Sequence, residues 1–360
     1  MKQTKSLLAL FFAAILIISF SSCKEEGQQQ DAAGQTEEKA ASGEGEKAYQ
    51  IAVFVPGVVS GSPLYEMLVE GTRKAADEYE HAAVKVIEGG FAQSEWEEKV
   101  TTITATGKYD LIVTSNPAMP EICAQVGEEF PEQHYLVLDG YLEGNQQIYT
   151  FLYNQMEQAY LIGHLGGLIT KSSMPGANEE LRVGLIAGQE YPIMNQVIRP
   201  GFELGINAAA QGAVLDMRIL GNWYDATKAG ELAYSMFEQG VDVILTIAGS
   251  ANEGVVSAAK EQNKYVLWFD SNGYGVAPGT VVGSSAIRQD KAAYEKVKEA
   301  IEGSLPFGTA EIAGIKEGYI VFIEDDQRYI DNVPEKIREK QHEVIEKLKN
   351  EEITLTMPTL

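Results

Sequence analysis

Several short stretches combine small residues, an aromatic ring and one or two polar side chains. Residues 56–65 read PGVVSGSPLY, and similar stretches occur at 114–117 (TSNP), 222–225 (NWYD), 248–254 (AGSANEG), 270–274 (DSNGY) and 286–290 (AIRQD). Tyr65 and Trp223, with Trp268 or Tyr274, can stack on a flat heterocycle. Offset stacking adds about 0.5–1.5 kcal/mol beyond the area buried. Gly249 and Gly254 let backbone approach a ligand closely. Ser62 sits among residues small enough for the chain to fold over a planar ring. Asp270 can accept two hydrogen bonds from adjacent hydroxyls. Asn116, Asn252 and Arg288 can read the polar edges of a heterocycle. Each also has a structural use: Trp223 against the next helix, Trp268 in the core, Tyr65 as a hydrophobic staple, Asp270 in a turn, Asn252 as a helix cap.

Catalytic and metal patterns are missing from the sequence. The four histidines, His81, His134, His164 and His342, have no metal-like spacing to one another or to cysteine. No phosphate-binding G-x-x-x-x-G-K occurs, and no G-x-G-x-x-G follows a strand. Residues 249–254 (GSANEG) are the nearest approach to a nucleophile elbow, with the wrong spacing. The acidic run 324–326 reads as a hairpin or turn tip. No catalytic residue and no metal ligand is assigned.

Most of the singled-out stretches follow β-rich runs. Strands are expected at 51–55, 83–88, 111–114, 135–138, 148–152, 182–187, 214–220, 241–247, 265–269, 280–285 and 319–323. Runs such as VDVILTIA are apolar throughout, as strands buried on both faces of a parallel sheet are. Helices are expected between them, at 64–79, 158–170, 198–211, 227–239, 253–262, 291–302 and 334–349. This alternation predicts an α/β fold with parallel sheets. The strands exceed one comfortable sheet, so two lobes are expected, with a ligand cleft where their strand carboxyl ends meet. Lobe I is placed at 48–152 plus about 283–310, and lobe II at 153–282 plus about 311–350. No sequence repeat relates the halves convincingly.

The N-terminus reads as targeting information. Lys2 and Lys5 precede a fourteen-residue apolar run, Leu7 to Phe20. That is short of the roughly 20 residues of a membrane span and fits a secretory signal. Ser21-Ser22-Cys23 resembles a lipobox with Phe20 in place of the usual leucine, so residues 1–22 are expected to be a lipoprotein signal and Cys23 its acylation site. Ordinary signal cleavage near Ser22 is the alternative. Residues 23–47 hold no large apolar side chain and are expected to form a disordered tether. Cys123 is the only other cysteine, so no disulfide framework exists. The net charge of −24 disfavours nucleic acid and anionic lipid as partners.

Five stretches resemble the basic membrane protein family. They are 153–167 (YNQMEQAYLIGHLGG), 183–208 (VGLIAGQEYPIMNQVIRPGFELGINA), 221–261 (GNWYDATKAGELAYSMFEQGVDVILTIAGSANEGVVSAAKE), 269–273 (FDSNG) and Arg288-Gln289-Asp290. The resemblance covers nearly all of 48–350. It implies a two-lobe type I periplasmic-binding-protein fold and a lipoprotein substrate receptor of an ABC importer on the outer face of the cell membrane. Such a receptor closes on its ligand and delivers it to a permease. Many members bind purine nucleosides, with an Asp after the first strand and Asp-x-Ser-Phe-Asn opening the first helix. Here Pro56 falls near the first position and Ser62-Pro63-Leu64-Tyr65-Glu66 replaces the second. Tyr65 matches the stacking Phe, Glu66 the Asn, Trp223 the Phe of the opposite wall, and Asp270 the ribose-binding Asp. Arg288 stands where Lys is usual. The opening loop looks like that of a riboflavin-binding branch.

The resemblance therefore implies riboflavin as transported ligand rather than a bound cofactor, with a purine nucleoside as the alternative. Its ring would lie between Tyr65 and Trp223, with hydroxyls on Asp270 and backbone N–H groups at helix starts nearby. Two other classes remain open from the residues. One is a hydrolase using Glu66 or Asp270 as base, and the other is a surface interaction protein.

Overall fold

The computed structural model describes residues 48–358; the signal segment, Cys23 and the tether lie outside the described residues. The chain begins β1 (Tyr49–Val55), α1 (Pro63–Ala76), β2 (Ala82–Glu88), α2 (Trp96–Ala105), β3 (Leu111–Ser115), α3 (Met119–Glu129), β4 (His134–Leu138) and β5 (Ile148–Tyr153). It continues through α4 (Gln155–Thr170), β6 (Arg182–Ala187), α5 (Arg199–Ala209), β7 (Val214–Ile219), α6 (Ala226–Glu238), β8 (Val241–Ile247), α7 (Asn252–Glu261), β9 (Tyr265–Asp270) and β10 (Val281–Ile287). The last elements are α8 (Gln289–Ile301), β11 (Ala310–Ala313), β12 (Ile320–Phe322), α9 (Gln327–Asn332) and α10 (Glu335–Lys349).

Two six-stranded sheets result, in the orders β11-β5-β4-β3-β1-β2 and β12-β10-β9-β8-β6-β7. The first is parallel throughout, and the second is parallel except for β12. The two orders correspond strand for strand, so β1 answers β6, β2 answers β7 and β4 answers β9. The chain crosses between lobes after β5, after β10 and after β11. Every crossing leaves a strand at its carboxyl end. Those ends therefore face the other lobe, and the loops leaving them line the space between the lobes.

Central strands are buried on both faces as their apolar runs require: Ile51 to Val55 and Leu111 to Val113 have no exposure. One core cluster, around Phe54, Trp96, Ile112 and Cys123, packs α2 and α3 on the first sheet. A larger cluster fills the rest. The sequence 153–167 has a packing explanation. A Cβ on Gly163 would stand 2.3 Å from the Phe202 carbonyl oxygen, and one on Gly205 would stand 2.1 Å from that of Tyr160. α4 and α5 thus touch backbone to backbone, and larger side chains would force them apart.

The structure moves two lobe boundaries. β10 belongs to the second sheet up to Ile287, so the chain re-enters lobe I at Arg288 and not near 283. β11 pairs with β5 in lobe I up to Ala313, and the final crossing follows it. Four elements escaped the sequence reading. α2 carries the β-branched run Val100-Thr101-Thr102-Ile103, which lowers helix propensity. α3 begins Met119-Pro120, where proline is tolerated in the first turn. β11 is four residues of weak strand formers, AEIA. α9 is a six-residue helix whose N-cap, Asp326, accepts from the Arg328 N–H at 2.9 Å, so the acidic run is a helix start and not a hairpin tip.

Candidate functional site

The loop after β1 is held by carboxylates instead of presenting them. The Val59 N–H donates to Glu88 Oε1 at 2.7 Å, and the Gly61 N–H donates to Glu66 Oε1 at 3.0 Å. Glu66, a candidate base, is thereby engaged by its own loop. Ser62 precedes α1 without a side-chain cap bond. The start of α1 is tied to β3 through fully buried Gln289, which donates to the Leu64 carbonyl at 2.8 Å and accepts from Ser115 Oγ at 3.0 Å.

This anchoring sets Tyr65, the next residue. Its hydroxyl donates to the Pro56 carbonyl at 3.1 Å. Its ring lies 2.9 Å from where a Cβ on Gly57 would stand. Burial pushes the hydroxyl up to about 12, opposed by a hydrogen bond from Asn116 and reinforced by the Asp139 charge. Asn116 also closes its own turn by accepting from the Ala118 N–H at 2.9 Å.

On the second lobe Trp223 is the counterpart. Its ring atom Cε3 lies 2.4 Å from a Cβ position on Gly188, so the indole rests flat on a site that only glycine permits. Its carbonyl accepts from Ser250 Oγ at 3.1 Å and from the Ala251 N–H at 3.3 Å. Gly249, at φ +60°, supplies the left-handed turn that brings those donors in. Tyr191 adds a second ring, its centroid 6.2 Å from that of Trp223 and its plane tilted 49°.

The floor is built from equivalent positions of the two lobes. Asp139 directly follows β4 and Asp270 ends β9, and both have left-handed backbone, φ +53° and +67°. Such conformations cost energy in non-glycine residues and cluster at binding sites. Burial, then the Asp270 charge opposite, push Asp139 up to about 8. Burial pushes Asp270 up to about 6, opposed by the Gln158 amide. Gln158 has no exposure; its Nε2 donates to Asp270 Oδ1 at 3.1 Å and to the Ser285 carbonyl at 3.0 Å. Its Oε1 has no partner, nor do the buried Tyr153 hydroxyl and Ser285 Oγ. Both aspartate charges act on Tyr153 and on Tyr191, raising each hydroxyl well above its ordinary value after burial has done so first. The floor thus leaves buried polar groups unpartnered: the Gln158 amide oxygen, which accepts, and the Tyr153 and Ser285 hydroxyls, which can donate or accept.

Other singled-out residues lie further from this arrangement. Asn252 braces its loop, its Oδ1 accepting from Thr246 Oγ1 at 2.6 Å and from the Ala248 N–H at 2.8 Å. Arg288 stands at the second crossing and forks its Nε and Nη2 onto Asp290 at 2.9 and 2.8 Å, which orients the guanidinium toward its own helix start. Trp268 donates its indole N–H to Ser271 Oγ at 3.1 Å. Tyr274 cannot stack on a ligand: it is fully buried, donates to the Ile323 carbonyl at 2.9 Å and accepts from the Ser284 N–H at 3.1 Å. Tyr153, Gln158 and Tyr191 were missed, and Asp139, which opens the loop after the fourth expected strand, was given no role. One signal was legible for Asp139: LVLDG and LWFDSNG each end a strand on an aspartate. Two depressions of about 530 and 520 Å³ lie on lobe II at the β7 edge and near α10, away from the cleft residues. Among the described residues no cluster of His, Cys, Asp and Glu could hold a metal, and no helix is long and apolar enough to cross a membrane.

A family model described as Bmp, ABC transporter substrate-binding protein PnrA-like, matches residues 48–354. The CD4+ T-cell-stimulating antigen of Listeria monocytogenes is 23% identical over 270 residues, 70% of this chain and 73% of that protein. The ABC transporter nucleoside-binding protein BmpA of Lactococcus lactis is 22% identical over 155 residues, 43% of this chain and 42% of that protein. Among solved structures, an ABC transporter solute-binding protein from Aeropyrum pernix K1 is similar at 24% identity and a TM-score of 0.73, over 86% of this chain and 94% of that one. That likeness establishes the two-lobe type I periplasmic-binding-protein fold. The family match over nearly the whole described body shows that this chain belongs to the Bmp family of PnrA-like ABC transporter substrate-binding proteins, which are receptors and not enzymes.

Proposed function

We propose that this receptor takes up riboflavin, with the isoalloxazine between Tyr65 and Trp223 and the ribityl chain over the Asp139–Asp270 floor. The observation that carries the reading is the pairing of two facing aromatic rings with a polar floor whose buried groups lack partners. Asp270, Gln158 Oε1 and the Tyr153 and Ser285 hydroxyls, beside an Asp139 that holds its proton up to about pH 8, call for a ligand whose groups both donate and accept, as hydroxyls do. A polyol chain on a flat ring supplies them. The clamp contributes faces more than edges, because the Tyr65 hydroxyl already serves Pro56. In the first loop Glu66 and Glu88 each give one carboxylate oxygen to a backbone N–H of the loop itself, which turns them toward the loop. Contacts to both lobes favour the closed state, which hands the ligand to the permease. Acylation at Cys23 would tether the receptor to the outer face of the membrane.

A purine nucleoside is the second reading, favoured by the nucleoside-binding relative and by the suitability of Asp270 for a ribose diol. Denaturing the purified mature protein and recording the visible spectrum and mass of the released ligand separates them. Release of a flavin is expected. Recovery of a nucleoside, with no flavin binding on titration, would overturn the riboflavin reading.

A further inference from the structure

Two aromatic side chains outside the clamp are unusually bare. Phe91 is 74% exposed and Tyr224 is 76% exposed, the highest values among the exposed large hydrophobic residues of the described chain. They occupy matching places. Phe91 lies on the loop after β2 and Tyr224 on the loop after β7, the corresponding outer strands of the two sheets. Both loops leave carboxyl ends, so both rings stand on the rim of the cleft, one on each lobe.

Neither tip is loosely held. On lobe I, Gly90 N–H donates to the Gly57 carbonyl at 2.9 Å, Trp96 Nε1 donates to the Gly90 carbonyl at 2.8 Å, and Lys99 Nζ donates to the Gly89 carbonyl at 2.7 Å. On lobe II, Asn222 Oδ1 accepts from the N–H groups of Tyr224 and Asp225 at 3.0 and 2.8 Å. A braced turn that holds a ring in water gains nothing for the monomer from that ring. Exposed apolar groups presented this way mark surfaces for a partner, and aromatic residues supply a large share of interface energy.

Each tip also adjoins a clamp ring. A Cβ on Gly57 would touch both Tyr65, at 2.9 Å, and Phe91, at 3.6 Å. Tyr224 directly follows Trp223. Closure of Tyr65 and Trp223 on a ligand therefore fixes the spacing of Phe91 and Tyr224.

We propose that Phe91 and Tyr224 are the two docking points by which the closed receptor engages the membrane subunits of its importer, one ring per subunit. The partner surface offers two apolar sockets, and their separation matches the ligand-closed spacing alone. Basic residues surround those sockets. Carboxylates Glu97 and Glu98 follow Phe91, beyond a Glu95 that pairs with Lys99 at 2.6 Å; Asp225, after Tyr224, accepts from the Lys228 N–H at 3.0 Å; and the whole chain carries 52 acidic against 28 basic side chains. The proposal rests on the receptor assignment and not on which ligand is carried.

The test uses the full acylated chain in cells that contain its importer. Phe91→Ser, Tyr224→Ser and the double variant are compared with wild type for uptake of labelled riboflavin, for riboflavin affinity and for thermal stability. A photo-crosslinking residue at 91 or 224 is run with and without riboflavin, and the products are identified by mass. Expected are a fall in uptake of about tenfold or more in the double variant, unchanged affinity and stability, and ligand-enhanced crosslinks from both positions to membrane subunits. Affinity that falls in step with uptake would make the rings ligand contacts and overturn the proposal. Uptake equal to wild type would overturn it too, as would crosslinks only to a second copy of this chain. If wild type binds no riboflavin, the ligand reading fails. The crosslinks, repeated with inosine and uptake of labelled inosine, then decide docking by themselves.

Discussion

Replacing Tyr65 with alanine removes one wall of the clamp while leaving the floor intact. A ring face in full contact covers roughly 60–80 Å² of apolar ligand, worth about 1.5–2 kcal/mol at 25 cal/mol per Å². Stacking geometry adds about 0.5–1 kcal/mol. The sum, about 2–3 kcal/mol, corresponds to a loss of affinity of roughly 30- to 150-fold. The folding cost is expected to be smaller. Tyr65 is half-buried, and its hydroxyl donates at 3.1 Å to Pro56 and is approached by the Asn116 side chain, contacts that contribute about 1 kcal/mol net each. Tyr65→Phe keeps the face and loses only those contacts, so its affinity should stay within about threefold of wild type. Titration by flavin fluorescence quenching, with melting curves run alongside, measures both quantities. Two results would refute the reasoning. In one, alanine leaves affinity within threefold; in the other, phenylalanine loses as much as alanine, which would make the hydroxyl and not the ring the binding element.

Four further outcomes are expected. Asp139 has a folded-state pKa raised above its unfolded value of about 3.9, so its contribution to stability is complete below that value and is lost as pH rises through about 8; ligand-free wild type should therefore lose more stability than Asp139→Asn between about pH 4 and 8, as melting curves across pH will show. Asp270→Asn should weaken riboflavin by about 10- to 100-fold, the value of a hydrogen bond to a charged acceptor, as measured by titration at pH 8. Gly188→Ala should displace the Trp223 indole, whose Cε3 sits 2.4 Å from the new Cβ, and lower affinity about tenfold with little change in melting temperature. By contrast, Gly205→Ala inserts a methyl 2.1 Å from the Tyr160 carbonyl oxygen and should cost about 1–3 kcal/mol of stability, visible by chemical denaturation.

Much of this protein is written in local pattern. The apolar runs of β1, β3, β8 and β9 demand burial on two faces, and their alternation with helical segments demands a doubly covered parallel sheet. Tyr65, Trp223 and Asp270 could be singled out from the sequence because each follows an expected strand in a segment too small and polar to be core. What the sequence could not decide was pairing at a distance. Asp139 gains its place opposite Asp270 because β4 and β9 occupy equivalent positions in two sheets and set two carboxyl groups against each other. Gln158 and Tyr153 read as members of a helix and a strand until the crossing after β5 brings them beside Asp270 and Asp139. Arg288 was singled out for a ring edge, and the structure ties two of its guanidinium donors to Asp290. Tyr274 had the right ring and was drawn into the core by its bonds to Ile323 and Ser284. Periodicity and side-chain type are properties of neighbours along the chain and determine which segments are buried. Which polar atoms find partners depends on the folded backbone, and the floor depends on groups more than a hundred residues apart, such as Gln158 and Asp270, which only the tertiary structure brings together.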